Sequence, residues 1–438
     1  MASTPSATTT DAALAELSEL MRIESVSSDG AHTPELREAS QWIAGLIGGA
    51  AITEEHGNPV VDGMIEASQP GAPTVIAYGH YDVQAPGPAD LWTTPPFEPD
   101  IRDGYIYGRG ACDDKGNFYA LLRAALDLAD AGELGVNVRV LADGEEEVGG
   151  HSVIHHLAAV EGDFAAAIIF DGLMVSAHQP AFTTGLRGLA GAQVRIRTGT
   201  RELHSGIYGG VAANPVHDLH RLLAALVDLP AAFSEGIAPV SQAEREGWST
   251  LAPGAEELER GGVTPGDPAA GEEFYDRTWA RPSLTIHSVE SGDPSLHKTS
   301  IQTEARASLS VRLAPGQDAA AMSALLEQTL RDACPAHAEL ELEMWPPGEP
   351  AWMDPTEPTL GAAFDAVERA TGVRPLAVRS GGSIPVAAAF AARGIPTLLT
   401  GFGVDDDNIH SPDERLEVRR FEWALRSARE IYRALAAL

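Results

Sequence analysis

Cysteine and lysine are almost absent from this chain of 438 residues. The two cysteines, Cys112 and Cys334, lie far apart in the sequence and exclude a disulfide framework or a thiolate zinc cluster. The only lysines are Lys115 and Lys298. The sequence also lacks an apolar run near the ~20 residues that cross a bilayer and the pattern of a secretory leader. We therefore expect a soluble protein of the reducing cytoplasm that has no membrane partner.

Positive charge is scarce overall. The 30 Lys and Arg residues stand against 63 Asp and Glu residues, which gives 30 − 63 = −33. Such an excess of negative charge argues against nucleic acid or an anionic membrane surface as a partner. It also means that most carboxylates face solvent, so an acidic cluster indicates a site only when a second pattern accompanies it.

The order of the apolar runs predicts an α/β fold. In the first part of the chain, short and nearly continuous apolar runs alternate with helical patterns, which is typical of a mainly parallel sheet covered by helices on both faces. The pattern predicts strands at 74–83, 136–144 and 165–172, and helices at 117–132 and 151–160.

Further along, the pattern changes to the apolar–polar alternation of half-buried strands. A polar stretch rich in Gly, Pro and Glu, residues 232–282, interrupts this part, and the parallel-sheet pattern returns after it. The sequence therefore predicts a discontinuous catalytic domain, 1–184 and 348–438, with a second, α+β domain, 185–347, inserted into it.

Polar side chains follow the apolar runs where the predicted strands end. Ligands of parallel α/β sheets bind beyond the carboxyl ends of the strands, so we expect these side chains to meet at one edge. They are His80, Asp82, Glu145, Glu146, Glu147, Asp171 and His410, with Asp113 and Asp114 in a glycine-flanked turn before a helix.

Two imidazoles and several carboxylates match a site for two divalent cations, zinc first, with manganese or cobalt as alternatives. Such a pair needs one bridging carboxylate. Cations also explain the run "EEE" at 145–147, because three adjacent carboxylates could not stay ionised at a partly buried edge without positive charge. One glutamate can ligate, its neighbour can take a proton from water, and the third is expected to face solvent. His80 and Asp82 project to the same side of an extended chain, which suits an aspartate that holds a ligand histidine in one tautomer.

Seven motifs together resemble a known family. They are "GHYDVQ", "GACDDKGN", "EEEVGG", "GLRG", "ELHSGIYGG", "RSGGSIPVA" and "NIHSPDERL". Their order, over about residues 12–435, is similar to that of the dinuclear-zinc exopeptidase family, which includes carnosinase-like cytosolic nonspecific dipeptidases, carboxypeptidase G and the aminoacylases. The segments "LHSGIYGG" and "GGSIPV" resemble the dipeptidase branch. The resemblance implies a homodimer in which the inserted domain is both lid and dimerisation surface.

The resemblance also implies which side chains bind two divalent metal ions in each subunit. His80 and Asp171 would bind one ion, and Glu147 and His410 the other. Asp113 would bridge the two ions and would be followed by a cis peptide bond.

The same resemblance assigns the catalytic and substrate-binding residues. Glu146 would be the general base, Asp82 would support the histidine ligand, and His204 would reach into the partner subunit's site to stabilise the oxyanion. The substrate's carboxylate would be held by Thr299, Arg312 and Ser383.

The implied activity is hydrolysis of the peptide bond of dipeptides or very short peptides by a water that bridges the two metal ions. The alternative is an N-acyl-amino-acid amidohydrolase with the same metal centre, which would not read a free α-amine. A two-metal phosphoesterase would need basic residues, and the strand-end motifs offer few. A metal-binding protein without catalysis would not need Glu146 or His204.

Two helical histidine pairs and one cysteine are predicted to be structural. The pair His151/His155 has helical spacing, but nothing acidic accompanies it and the resembling family has no ligand there; the pair His217/His220 is interpreted in the same way. Cys112 is expected to be a small buried side chain.

Overall fold

The computed structural model describes residues 8–293 and 295–438 and divides the chain into two compact units. The first unit comprises the described residues of 1–184 with 353–378 and 385–438, and the second comprises 185–352 and 379–384. Among the helices of this described part, we find none with the length and apolarity to cross a membrane.

The described chain contains both strands and helices. The strands are β1 (Ala51–Thr53), β2 (Val60–Ile65), β3 (Thr74–His80), β4 (Asp100–Arg102), β5 (Tyr105–Tyr107), β6 (Asn137–Asp143), β7 (Ala166–Ile169), β8 (Ala181–Leu186), β9 (Gly188–Arg197), β10 (Leu203–His204), β11 (Ser283–Glu290), β12 (Ser300–Ile301), β13 (Glu304–Leu313), β14 (Glu339–Met344), β15 (Ala351–Trp352), β16 (Leu376–Ser380), β17 (Thr397–Thr400) and β18 (Arg415–Glu417). The helices are α1 (Thr10–Met21), α2 (Thr33–Ile47), α3 (Lys115–Asp130), α4 (His151–Ala159), α5 (Ser205–Tyr208), α6 (Pro215–Val227), α7 (Gln242–Trp248), α8 (Gly254–Arg260), α9 (Ala319–Ala333), α10 (Pro358–Thr371), α11 (Pro385–Ala392) and α12 (Val418–Leu435).

The first unit is built on a sheet whose centre is parallel. Its strand order is β1-β2-β6-β3-β7-β17-β8, with β6, β3, β7 and β17 parallel and the outer strands antiparallel. The predicted early strands and helices are confirmed as β3, β6, β7, α3 and α4. Helix α3 lies tight against β3, because a Cβ added to Gly79 would come within 2.4 Å of the Phe118 ring. The α/β class expected from the sequence is therefore confirmed.

The second unit contains a four-stranded antiparallel sheet of order β11-β13-β9-β14. Alternate residues of β9 and β13 are buried, as the apolar–polar alternation predicted, and they pack on apolar residues of α6 and α9. Strand β11 is an edge strand and is exposed over most of its length. A separate two-stranded ladder, β10–β12, carries His204.

A buried ion pair fixes the short segment 379–384 within the second unit. Arg379 Nε donates to Glu244 Oε1 at 2.9 Å, and both side chains are fully buried. The Arg379 guanidinium also donates to the carbonyl oxygens of Ala238 and Pro239. Because Glu244 lies within 232–282, this polar stretch is anchored to the segment that carries Ser383.

Candidate metal centre

The strand ends of the first unit bring several ionisable side chains to one edge. His80 is the last residue of β3 and is level with Asp143, the last residue of β6, in the parallel ladder. Asp171 follows β7 by two residues. His410 has a φ of 60°, in the left-handed region that few residues other than glycine adopt, so its position is set by the surrounding loop.

Asp113 lies between two histidines and directs one carboxylate oxygen toward each. Its Oδ1 is 3.0 Å from His80 Nε2, and its Oδ2 is 2.9 Å from His410 Nε2. This is the arrangement that a carboxylate bridging two cations requires. The peptide bond between Asp113 and Asp114 is cis.

Two groups of three potential metal ligands share Asp113. In each group the ligand atoms lie within 4.8 Å of one another. The groups are His80, Asp113 and Asp171, and Asp113, Glu147 and His410. The structure thus brings together all five side chains that the sequence suggested as ligands, in the two sets that the resemblance implies.

The stretch "EEEVGG" turns sharply after β6. Glu146–Val148 form one turn of 3-10 helix, and Gly149 and Gly150 follow with φ values of 118° and 61°. Residues other than glycine rarely adopt these φ values, so the two glycines allow the chain to reverse before α4 begins.

Glu145, the glutamate expected to face solvent, is half-buried and has a structural contact. Its carboxylate accepts hydrogen bonds from Ser152 N at 2.9 Å and from the Ser152 hydroxyl. Because α4 begins at His151, this carboxylate satisfies an amide of the first helical turn, where negative charge is favourable. The third glutamate of the run therefore fixes the start of a helix.

Asp82 contacts both the histidine and the glutamate pair. Its Oδ1 lies 3.4 Å from His80 Nδ1, which is also 3.1 Å from the Asp82 carbonyl oxygen. Its two carboxylate oxygens accept from Glu146 N at 3.2 Å and Glu147 N at 3.1 Å. Asp82 therefore orients the ring of His80, as expected, and also holds the backbone that presents the two glutamates.

A second carboxylate, Glu414, organises the loop that carries Asp113. It is fully buried and accepts from Arg109 Nη1 at 2.7 Å. It also accepts from the backbone N–H groups of Gly110, Cys112 and Asp113 at 2.9–3.1 Å. Glu414 thereby joins the His410 segment to the bridging-aspartate loop.

The electrostatics of this edge call for positive charge. Burial opposes ionisation of Asp113, yet hydrogen bonds from His410 and His80 hold its pKa well below the usual range. Burial raises the pKa of Asp171 well above its usual value, and it raises the pKa of Glu146 to about 7. The hydrogen bond to Asp113, followed by that to Glu147, raises the pKa of His410 to about 10. In the metal-free state, protons thus supply the charge that bound cations would supply.

The residues present fit a pair of divalent cations. Glu147 Oε1 and Asp114 Oδ1 are buried oxygens for which the described residues offer no hydrogen-bond donor. A buried carboxylate oxygen without a donor is costly unless a cation is nearby. Imidazole and carboxylate together form the donor set of zinc and related borderline ions.

The remaining residues suggested by the sequence lie in the second unit. His204 is exposed, and its Nδ1 accepts from Gly206 N at 3.0 Å. His204 pairs with Ser300 across the β10–β12 ladder, and the carbonyl of the preceding residue, Thr299, accepts from Ser205 N. Arg312 lies on β13, and Ser383 is exposed within 379–384.

Two residues that make polar contacts at the candidate centre were missed by the sequence analysis. Gln84 Nε2 donates to Glu147 Oε2 at 3.0 Å, and Glu414 organises the loop of Asp113. Glu414 stands inside the motif "NIHSPDERL", which hinted at a role. Gln84 has only its place in "GHYDVQ".

The histidine pairs and Cys112 are not part of the centre. His155 stacks on His56 with ring centroids 4.8 Å apart, and His217 and His220 are exposed on α6. Neither pair belongs to a group of three ligand side chains in the described chain. Cys112 is buried in the apolar core of the first unit, as predicted.

A mainly parallel α/β unit that brings two imidazoles and three carboxylates together near its strand ends is typical of a metal-dependent hydrolase. The profile of the peptidase family M20/M25/M40 matches residues 76–437, and this chain belongs to that family.

Relatives of known structure and sequence agree with this placement. The chain is 31% identical to the cysteinylglycine-S-conjugate dipeptidase of Corynebacterium striatum, over 93% of this chain and 92% of the relative. The solved structure of the dipeptidase Dug1p of Saccharomyces cerevisiae superposes with a TM-score of 0.73 at 27% identity, covering 97% of this chain and 96% of that one. The M20 family metallo-carboxypeptidase Sso-CP2 of Sulfolobus solfataricus has a TM-score of 0.80 at 26% identity, covering 97% and 99%.

Proposed function

We propose that this protein hydrolyses the peptide bond of dipeptides and very short peptides at the strand-end centre of its first unit. The observation that carries the proposal is the position of Asp113, whose two oxygens face His80 and His410, with Glu146 in the turn that follows β6, three residues after Asp143. His80 and Asp171 would hold one divalent ion, and Glu147 and His410 the other.

The chain's own residues account for the proton transfers. When bound, two cations lower the pKa of water and polarise the scissile carbonyl. The carboxylate of Glu146 accepts the proton of the attacking water and later donates it to the departing amine. Asp82 keeps Glu146 in place through its backbone N–H, and Asp82 also sets the ring of His80.

The second unit supplies groups for the substrate. We propose that Thr299, Arg312 and Ser383 bind the substrate's carboxylate, for which the planar fork of arginine is suited. We propose that His204 stabilises the oxyanion in the site of a partner subunit of a homodimer. The exposed apolar side chains that follow His204, Ile207 at 70% and Val211 at 83% exposure, support an interface there.

The names of the relatives support a dipeptide as the substrate. They include dipeptidases of cysteinylglycine conjugates, of Cys-Gly and of β-Ala-His. Release of amine from L-Cys-Gly and β-Ala-L-His by metal-reconstituted protein is the direct test. Cleavage of L-Ala-Gly but not of N-acetyl-L-Ala-Gly would establish that a free amine is read. Release of acetate from N-acetyl amino acids alone would instead establish the amidohydrolase.

We propose zinc as the bound metal, which metal analysis of the purified protein would test against manganese and cobalt. We propose the cytoplasm as the compartment, because both cysteines are free thiols. Light scattering would test the dimer, and a fully active monomer would contradict the role given to His204.

A further inference from the structure

Two exposed histidines, His56 and His155, pack against each other on the surface of the first unit. Their ring centroids lie 4.8 Å apart, with an angle of 29° between the ring planes. His56 belongs to the turn between β1 and β2, and His155 belongs to α4, so the pair joins two separate elements. Neither ring makes a hydrogen bond or an ion pair to a residue in the described part of the chain. Their ring nitrogens are therefore available to a ligand.

The turn that carries His56 is fastened to the chain that leads into α4. Asn58 Nδ2 donates to the carbonyl oxygen of Gly144 at 2.9 Å. Gly57 has a φ of 147° and lies directly against Ser152, because a Cβ added to this glycine would come within 2.5 Å of the serine hydroxyl oxygen. The backbone on both sides of the histidine pair is thus held in place before any ligand binds. A ligand of the pair does not have to order the turn, which lowers the entropic cost of binding.

The other histidines of α4 are arranged differently. His156 is half-buried, and its Nε2 is hydrogen-bonded to a carboxylate of β2 at 2.8 Å. The ring of His151 lies over Gly149, because a Cβ added to that glycine would be 3.2 Å from His151 Nε2. The partner of His155 is therefore His56 and not His151, although the latter has the i, i+4 spacing of a helical metal site.

The separation of the two rings suits one shared cation. Two imidazoles that bind one ion through nitrogen at ~2.0–2.1 Å, with a nearly tetrahedral angle, have ring centroids about 5 Å apart. The χ2 torsion of histidine is broad, so rotation of the exposed rings can direct one nitrogen of each toward such an ion. Imidazole nitrogen prefers zinc, copper and nickel to magnesium or calcium. The net charge of −33 also favours the approach of a cation.

We propose that His56 and His155 form a further site for a divalent transition-metal ion, with water as the remaining ligands. Neither residue belongs to the two ligand groups of the candidate metal centre, so this site is separate from it and does not depend on the proposed function. The bound ion joins the β1–β2 turn to α4, the helix that directly follows the turn of Glu146 and Glu147. It therefore stabilises the first unit beside the candidate centre without taking part in the reaction.

The number of bound zinc ions tests the proposal. Zinc-loaded protein is freed of excess metal and titrated with zinc in a calorimeter, in parallel with His56→Phe and His155→Phe. Phenylalanine keeps a ring that can stack but has no nitrogen to bind the ion. We expect the wild type to bind one more zinc ion per subunit than either variant. No additional zinc in the wild type, or the same additional zinc in either variant, would overturn the proposal.

His151→Phe is the matched control for the titration. It removes an exposed histidine of the same helix that is not part of the pair, and it should keep the additional ion. Loss of the ion in this variant would assign it to the helical i, i+4 pair and would overturn the pairing of His155 with His56. Because the proteins are compared with one another, the result is the same whether or not the candidate centre hydrolyses peptides.

Chemical modification locates the ion at single residues. Histidines of the zinc-loaded wild type are modified with diethyl pyrocarbonate, with and without added zinc, and the modified residues are measured by mass spectrometry. At a free zinc concentration tenfold above Kd, we expect the modification rates of His56 and His155 to fall roughly tenfold. The exposed His217 on α6 should react at an unchanged rate. Unchanged modification of His56 or His155 at saturating zinc would contradict the proposed site.

Discussion

Arg109 and Glu414 form an ion pair of 2.7 Å beneath the metal centre, and neither side chain is more than 1% exposed. The same carboxylate accepts three backbone N–H groups from the loop that ends at Asp113. The position of Asp113, the proposed bridge, therefore depends on a residue four positions after His410. We expect substitutions of Glu414 to change the affinity of the protein for metal ions.

Glu414→Gln should weaken metal binding without removing a ligand. The amide keeps the size of the side chain but loses its charge and one accepting oxygen, so Asp113 is held less firmly. We expect the metal affinity to fall by roughly 10- to 100-fold in calorimetric titration of the metal-free protein. Glu414→Asp, which retains the charge, should lie between. Glu417→Gln, on a partly exposed carboxylate nearby, is the control that should bind metal normally, and an equal affinity in Glu414→Gln would contradict the expectation.

Glu146→Gln should abolish turnover and keep both metal ions. General acid–base catalysis is worth roughly 10²- to 10⁴-fold in rate, and the amide cannot accept the proton of water. Turnover and metal content of the purified variant are measured together. Glu145→Gln is the matched control in the same run, because Glu145 bonds to Ser152 and not to the centre. A Glu146→Gln variant with wild-type turnover would refute the assignment.

The acidic limb of the pH profile should report Glu146. Burial raises the pKa of this carboxyl to about 7 in the metal-free protein. A bound cation favours the carboxylate, so the pKa that matters in catalysis lies below 7. The base works deprotonated, so kcat/KM should fall as the pH drops through that value. A limb centred above pH 7 would be inconsistent with Glu146 as the base.

Removing the metal should destabilise the protein. Asp113, Glu147 and Asp171 are brought together at low exposure, and bound cations relieve their repulsion. A ligand that binds only the folded state adds about 4 kcal/mol at a free concentration of roughly 1,000 Kd. Tm should therefore rise with added zinc and fall with chelator. Asp113→Asn, which weakens both groups, should show a much smaller rise, and an undiminished rise would count against Asp113 as the bridge.

The apolar runs of the sequence were enough to predict where the strands end. The carboxyl ends of parallel strands lie at one edge of a sheet, so the residues that follow them could be expected to lie close together. His80, Asp113 and His410 could be proposed as neighbours for that reason. The contacts of Glu414 with Gly110 and of Asp82 with Glu146 could not be derived, since each joins residues far apart in sequence through backbone N–H groups that look alike in any sequence. The contact of Glu145 with Ser152 was also missed, because the expectation for Glu145 took no account of the helix start that follows the two glycines.

The segment 379–384 limits how the second unit can be exchanged between related proteins. This hexapeptide lies between α10 and α11 of the other unit in the chain, yet its Arg379 neutralises Glu244 inside the second unit. A contiguous fragment 185–352 would lose that guanidinium and the carbonyl bonds that accompany it. Recombination that exchanges one continuous segment could therefore not transfer the complete second unit. Any exchange of it between relatives has to carry six residues encoded elsewhere.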